Sequence, residues 1–144
     1  MEIKIMKLYE NATIPSRESK CAAGYDLYAF TNSLFRIAPH TTEKINTGVA
    51  IEIPDGYCGL VFPRSGLSSR HGLRLANCVG VIDSDYRGEI MVALHNDSEN
   101  FQYIDHNQRI AQIVIVPYLQ FNWKEVEFLN ETERGSSGFG STGK

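Results

Sequence analysis

Short apolar runs, cut at close intervals by turn-forming residues, constrain this chain more than any other feature. Leu34–Ile37, Thr42–Asn46, Val49–Ile53, Tyr57–Phe62, Glu89–Leu94 and Gln112–Tyr118 are each four to seven residues long. They are rich in Val, Ile, Thr and aromatic side chains, which suit a pleated, half-buried surface. Ala38-Pro39, Pro54-Asp55-Gly56 and Asn96-Asp97 punctuate them. In Pro54-Asp55-Gly56 the proline presets φ and the glycine accepts a positive φ, so a tight turn is predicted there. Only Gly66–Arg70 reads as a short helix. Many evenly spaced strands with almost no helix predict an all-β domain of jelly-roll-like or barrel-like kind.

The 144 residues suit one domain with an ordinary core. No apolar run reaches the ~18 residues that a membrane span needs, and Lys4 and Lys7 open no signal-peptide pattern. A soluble chain is expected, with no membrane partner. Three cysteines, Cys21, Cys58 and Cys78, form an odd set without metal-ligand spacing, which fits a reducing cytoplasm better than a disulfide framework. The net charge of −3 argues against nucleic acid as a partner. Any polyanion must be held locally, by a few aimed arginines and backbone N–H groups.

The last eleven residues, Arg134–Lys144, differ from the rest, with four glycines and Phe139 as the one large apolar side chain. Such a segment has backbone freedom to lose and little to bury. It reads either as a frayed terminus or as an arm that orders over a ligand. The division expected is a β domain over 1–133 and a mobile arm over 134–144. Gly138 to Gly143 satisfies G-x-G-x-x-G, and Gly138 to Lys144 most of a P-loop pattern. Both motifs need a following helix to receive phosphates, and the sequence supplies none.

Four further clusters carry chemistry: Ala23–Leu27 with Asp26, Pro63–Ser68 with Arg64, Asn77–Gly88 with Asp83 and Tyr86, and Arg109–Gln112. The third reads as a hairpin with Asp83 and Tyr86 near its bend. Each has a plainer reading when taken singly. Asp26 and Asp85 could be turn or cap carboxylates, Tyr86 strand packing, Arg109 a structural ion-pair partner and Ser68 a helix-turn hydroxyl. His40, His71, His95 and His106 are scattered and read as surface residues, not a metal cluster.

In their order, Ala23–Leu27, Pro63–Ser68, Asn77–Glu89, Arg109–Gln112 and Arg134–Gly143 resemble the five motifs of the trimeric deoxyuridine triphosphatase family. Gly-Val-Ile-Asp-Ser-Asp-Tyr-Arg-Gly and Arg-Gly-x-x-Gly-Phe-Gly-Ser-Thr-Gly are the long, specific matches. Ser137, where many members carry another glycine, and Cys78 are small departures.

The resemblance implies a β-clip, jelly-roll-like subunit in a homotrimer with active sites shared between chains. It implies hydrolysis of dUTP to dUMP and pyrophosphate with Mg²⁺, which keeps uracil out of DNA and supplies dUMP for thymidylate. Asp83 would activate the attacking water, with Asp26 near the metal's waters or supporting the base. Asn77 and the backbone of Gly80, Val81 and Ile82 would read uracil, Tyr86 would pack on the deoxyribose, and Phe139 would stack over the base. Arg64, Ser65, Gly66 and Gln112 would meet the phosphates, with Arg134, Gly140, Ser141 and Thr142 closing over the far end. The metal would sit on triphosphate oxygens and waters, without direct protein ligands. A dCTP deaminase of the same superfamily and a dUTP-binding regulatory module are the rival readings.

Overall fold

Alternation of side chains across the pleat decides most of this fold, as the computed structural model, describing residues 1–138, makes plain. In β9 (Met91–Asn96), Val92, Leu94 and Asn96 are buried while the residues between them face outward or sideways. The other strands are β1 (Lys4–Lys7), β2 (Tyr25–Tyr28), β3 (Phe35–Ile37), β4 (Thr42–Asn46), β5 (Val49–Glu52), β6 (Tyr57–Pro63), β7 (Leu73–Leu75), β8 (Gly80–Ile82), β10 (Gln102–Ile104) and β11 (Arg109–Pro117). The one helix among the described residues, α1 (Ser65–His71), buries Leu67 and stops at Gly72, whose φ of 64° is left-handed.

All pairings are antiparallel. A four-stranded sheet runs β2-β11-β6-β8, a three-stranded sheet β4-β9-β7, and two ribbons pair β1 with β5 and β10 with β3. Leu27, Ile37, Ile45, Val92, Leu94 and Ile110 fill the core between them. Buried Asn96 is satisfied there, donating its amide to the carbonyls of Ile37, Ala38 and Asn100 at 2.8–3.2 Å. The architecture is the all-β, jelly-roll-like one expected, and no helix among the described residues is long and apolar enough to cross a membrane.

The turn at Pro54-Asp55-Gly56 forms as predicted: Tyr57 N–H donates to the Pro54 carbonyl at 3.2 Å, and Gly56 takes φ 81°. Other expectations need correction. Asn77–Gly88 is not a hairpin, because β8 pairs with β6 while β9 pairs with β4 and β7. The chain crosses from one sheet to another through this segment. β1, β7 and β10 escaped the sequence reading, being only three or four residues long. β11 begins at Arg109, earlier than the apolar run, since its first residues pair with β2. Two histidines are also less superficial than expected. His95 lies between Thr42 and Asp97, and His106 packs edge-on against Phe30 while accepting the Thr31 N–H.

Candidate functional site

Two clefts gather the chemistry, at opposite edges of the four-stranded sheet. The first, of about 310 Å³, is lined by Asn77, Gly80, Val81, Ile82, Asp83 and Tyr86, with Lys44 and Glu89. Its floor is β8, an edge strand with β6 on one side only. An edge strand presents backbone donors and acceptors that no neighbour uses.

The loop before β8 turns at Cys78, which takes φ 60°. That turn lays the Asn77 amide over Gly80, where an added Cβ would stand 3.3 Å from Asn77 Nδ2. After β8, Tyr86 N–H donates to the Asp83 carbonyl at 3.2 Å, closing a four-residue turn. The exposed Asp83 carboxylate and the Tyr86 ring thus flank the same opening. The Tyr86 hydroxyl donates to the Glu89 carbonyl at 2.9 Å, and Glu89 Oε1 accepts the Gly48 N–H at 2.7 Å.

The second cleft is wider, about 710 Å³, and includes Gly24, Asp26, Arg64, Ser65, Gly66 and Gln112. Asp26 is buried at its base, 3.1 Å from Arg64 Nε and 3.3 Å from an Arg109 nitrogen. Arg109 also pairs with Glu18, whose carboxylate, ahead of that of Asp26, raises the guanidinium above its ordinary pKa. Arg109 is therefore the structural ion-pair partner that its plainer reading suggested. Arg64 follows β6 and precedes α1, whose first N–H groups, from Ser65 and Gly66, have no carbonyl within the helix to reach. Gln112 is fixed across the sheet: its Nε2 donates to the Pro63 carbonyl at 3.1 Å. Its Oε1 fills the space above Gly24, where a Cβ would approach to 2.5 Å.

The clefts have no lining residue in common. Ile82 stands opposite Gly59 on β6, whereas Arg64 follows the far end of that strand. Five residues of strand put Ile82 and Arg64 roughly 17 Å apart along β6, and Asp83 follows Ile82 on the side away from Arg64. Asp26, on β2, lies three strand spacings from β8, on the order of 14 Å. Within one chain Asp26 thus orients Arg64 and Arg109 and is remote from Asp83.

Arg134 is exposed, and its Nε donates to the Ser137 carbonyl at 2.9 Å. Phe139, Gly140, Ser141 and Thr142 lie outside the described residues. The sequence reading quoted Gly88 and Glu89 within the third motif but gave them no role, and it missed Glu18. Glu18 pairs with a residue ninety-one positions away, and no local pattern signals that.

Comparison with known proteins adds a second line of evidence. The family model for dUTPase matches residues 10–143. The deoxyuridine 5'-triphosphate nucleotidohydrolase of Nautilia profundicola is 49% identical over 144 residues, covering 100% of both chains. Among solved structures, the dUTPase of Staphylococcus bacteriophage 80alpha with dUPNHPP superposes with a TM-score of 0.90 at 32% identity, covering 99% of each chain. A point mutant of the dUTPase from S. aureus phage phi11, described with a structural Mg(II) ion, gives 0.82 at 28% identity over 91% of this chain and 100% of its own.

Proposed function

The chain belongs to the dUTPase family, and from that membership we propose how its two clefts cooperate in hydrolysing dUTP to dUMP and pyrophosphate. It is a dUTP diphosphatase. The observation that carries the mechanism is the separation of base-reading and phosphate-gripping residues within one chain. With backbones more than about 17 Å apart, Asp83 and Arg64 of one chain are too far from each other to serve the same triphosphate. The first cleft of one copy must therefore meet the second cleft of another.

A homotrimer with shared sites answers this need. Its support comes also from the segment after β11. Leu119, Phe121, Trp123, Phe128 and Leu129 are 67–90% exposed in a single chain, a larger apolar display than a lone soluble subunit keeps in water. Covering each such side chain stabilises by about 1.5–3 kcal/mol.

In the assembled site, uracil pairs with the free backbone edge of β8 and with the Asn77 amide. Cytosine would leave buried polar groups unpaired, at about 1–3 kcal/mol each. The deoxyribose lies against Tyr86, leaving a 2′-hydroxyl no room. Asp83 accepts a proton from a water whose oxygen attacks the α-phosphorus, the bond to the β-phosphate oxygen breaks, and pyrophosphate departs. Proton abstraction by a positioned carboxylate contributes about 10²–10⁴ in rate. Arg64, Ser65, Gly66 and Gln112 of a second chain hold the phosphate oxygens, where charge accumulates. Asp26 keeps Arg64 aimed. Residues 134–144 form the arm, with Phe139 over the base and Arg134, Gly140, Ser141 and Thr142 over the phosphates.

Mg²⁺ fits this cleft as a companion of the triphosphate. Both oxygens of Asp26 already face guanidinium groups, and no three His, Cys, Asp or Glu converge among the described residues. Triphosphate oxygens and waters would hold it, in keeping with its reluctance to dehydrate, and it supplies charge neutralisation along the phosphate chain. The three free cysteines support a reducing, cytoplasmic setting for this reaction.

A deaminase would need a glutamate acting in the base cleft. Glu89, the one glutamate among that cleft's lining residues, is committed to the Gly48 N–H. Pyrophosphate release measured across the nucleoside triphosphates, with and without Mg²⁺, tests the proposal. Release from dUTP alone, dependent on Mg²⁺, supports it; ammonia from dCTP or equal turnover of UTP overturns it.

A further inference from the structure

Gly88 has no backbone reason to be glycine. The described glycines with left-handed φ are Gly48, Gly56, Gly72 and Gly135, and Gly88 is not among them. What excludes a side chain is Tyr86. A Cβ built on Gly88 would stand 2.4 Å from the Tyr86 hydroxyl oxygen, 2.6 Å from Cζ and 2.9 Å from Cε2. These distances are well inside van der Waals contact, and the atoms met belong to a ring that can swing away. The bare backbone of Gly88 is therefore a surface on which the ring rests.

The other half of this seat is the Glu89 carbonyl, which accepts the Tyr86 hydroxyl at 2.9 Å. That carbonyl is anchored. Glu89 Oε1 takes the Gly48 N–H at 2.7 Å, Ile90 N–H donates to the Val49 carbonyl at 2.9 Å, and the buried Thr47 hydroxyl donates to the Ile90 carbonyl at 2.6 Å. The ring is thus tied through two residues to the turn between β4 and β5, while its exposed face looks into the cleft beside Asp83.

We propose that Gly88 and the Glu89 carbonyl are positioning elements for Tyr86, fixing its ring plane and so setting the preference for deoxyribose over ribose. This rests on the reading of Tyr86 as the sugar platform. A methyl group at position 88 would drive the ring toward the sugar and break its hydrogen bond. Displacement of an active-site group by about 1 Å can cost on the order of 10²-fold, and Asp83, in the same turn as Tyr86, would feel part of it.

The test compares kcat/KM for dUTP and UTP in Gly88→Ala, Tyr86→Ala and the double variant, each checked by thermal melting. Gly88→Ala should lower the dUTP preference about tenfold or more and change nothing further in the Tyr86→Ala background, where the methyl has room. An unchanged preference in Gly88→Ala beside a lowered one in Tyr86→Ala overturns the seat and spares the sugar reading. If Tyr86→Ala also leaves the preference unchanged, the sugar reading itself falls. An added loss in the double variant shows that Gly88 acts elsewhere, and likewise overturns the proposal. Should Gly88→Ala not fold, Tyr86→Phe decides, since it removes only the hydroxyl held by Glu89. A preference equal to that of the unaltered protein overturns the seat.

Discussion

The backbone N–H of Tyr86 donates to the carbonyl of Asp83 at 3.2 Å, so one tight turn holds both the proposed base and the proposed sugar platform. Any shift of the ring is felt at the carboxylate three residues earlier. The substrate selection and water activation proposed for them would thereby be coupled through a single stretch of backbone. This coupling lets the roles of the two side chains be separated by substitution.

Asp83→Asn keeps the shape of the turn but cannot accept a proton. It should bind a non-hydrolysable dUTP analogue with near-normal affinity while losing roughly 10²-fold or more in kcat. Calorimetric titration beside a turnover assay checks this. Retention of turnover would remove Asp83 from the role of base.

Asp26→Asn acts on the other cleft. The carboxylate faces Arg64 and Arg109 while buried, so a neutral amide takes from Arg64 the carboxylate that faces it and leaves Arg109 to Glu18. The variant should lose about 1–3 kcal/mol of stability and weaken binding of a dUTP analogue more than binding of dUMP, because the proposed role of Arg64 is to grip the triphosphate chain, of which dUMP keeps one phosphate. Chemical denaturation and ligand titration measure the two effects. Equal weakening of both nucleotides would argue that Asp26 does not act through the phosphate grip.

Trp123 is the one tryptophan in the chain and is 90% exposed in a single subunit. In a homotrimer that covers residues 119–129, its emission should be blue-shifted at micromolar concentration and move to the red on dilution, together with dissociation in sedimentation. Phe128→Asp should favour the monomer and abolish activity, since each proposed site draws its two clefts from different chains. A fully active monomer would sink the shared-site model.

Deletion after Glu133 tests the arm. Apart from contacts of Tyr118, the hydrogen bonds described within 118–138 join near neighbours, such as Gly135 to Thr132 and Ser137 to Arg134. Melting temperature and assembly should therefore be nearly unchanged, while kcat/KM falls by one to two orders of magnitude or more. Stacking on a base contributes about 1–3 kcal/mol and a charge-assisted hydrogen bond about 1.5–3 kcal/mol. Full activity in the truncated chain would leave residues 134–144 as an ordinary terminus.

Much of this protein could be read locally. Alternating apolar residues and Pro54-Asp55-Gly56 act over a few positions, so β4, β5, β6 and the turn joining the last two were legible. The same holds for Asp83, Tyr86 and Arg64, which stand in recognisable motifs. Strands β1, β7 and β10 were not legible, because three or four residues carry too little pattern and form only against distant partners. The supposed hairpin failed for a related reason: strand pairing is chosen by competition among all edges, and β8 found β6.

The sequence by itself determined the all-β class and the family, and it nominated the residues proposed to carry the chemistry, because side-chain type and short-range spacing carry that information. Only the tertiary structure decided which of those residues meet. Asp26 pairs with Arg64 and Arg109 instead of assisting Asp83 of its own chain, and Gly88 lies against the Tyr86 ring. Distances across a sheet depend on strand order and register, set by long-range pairing, and that pairing places the two clefts on opposite edges of one subunit.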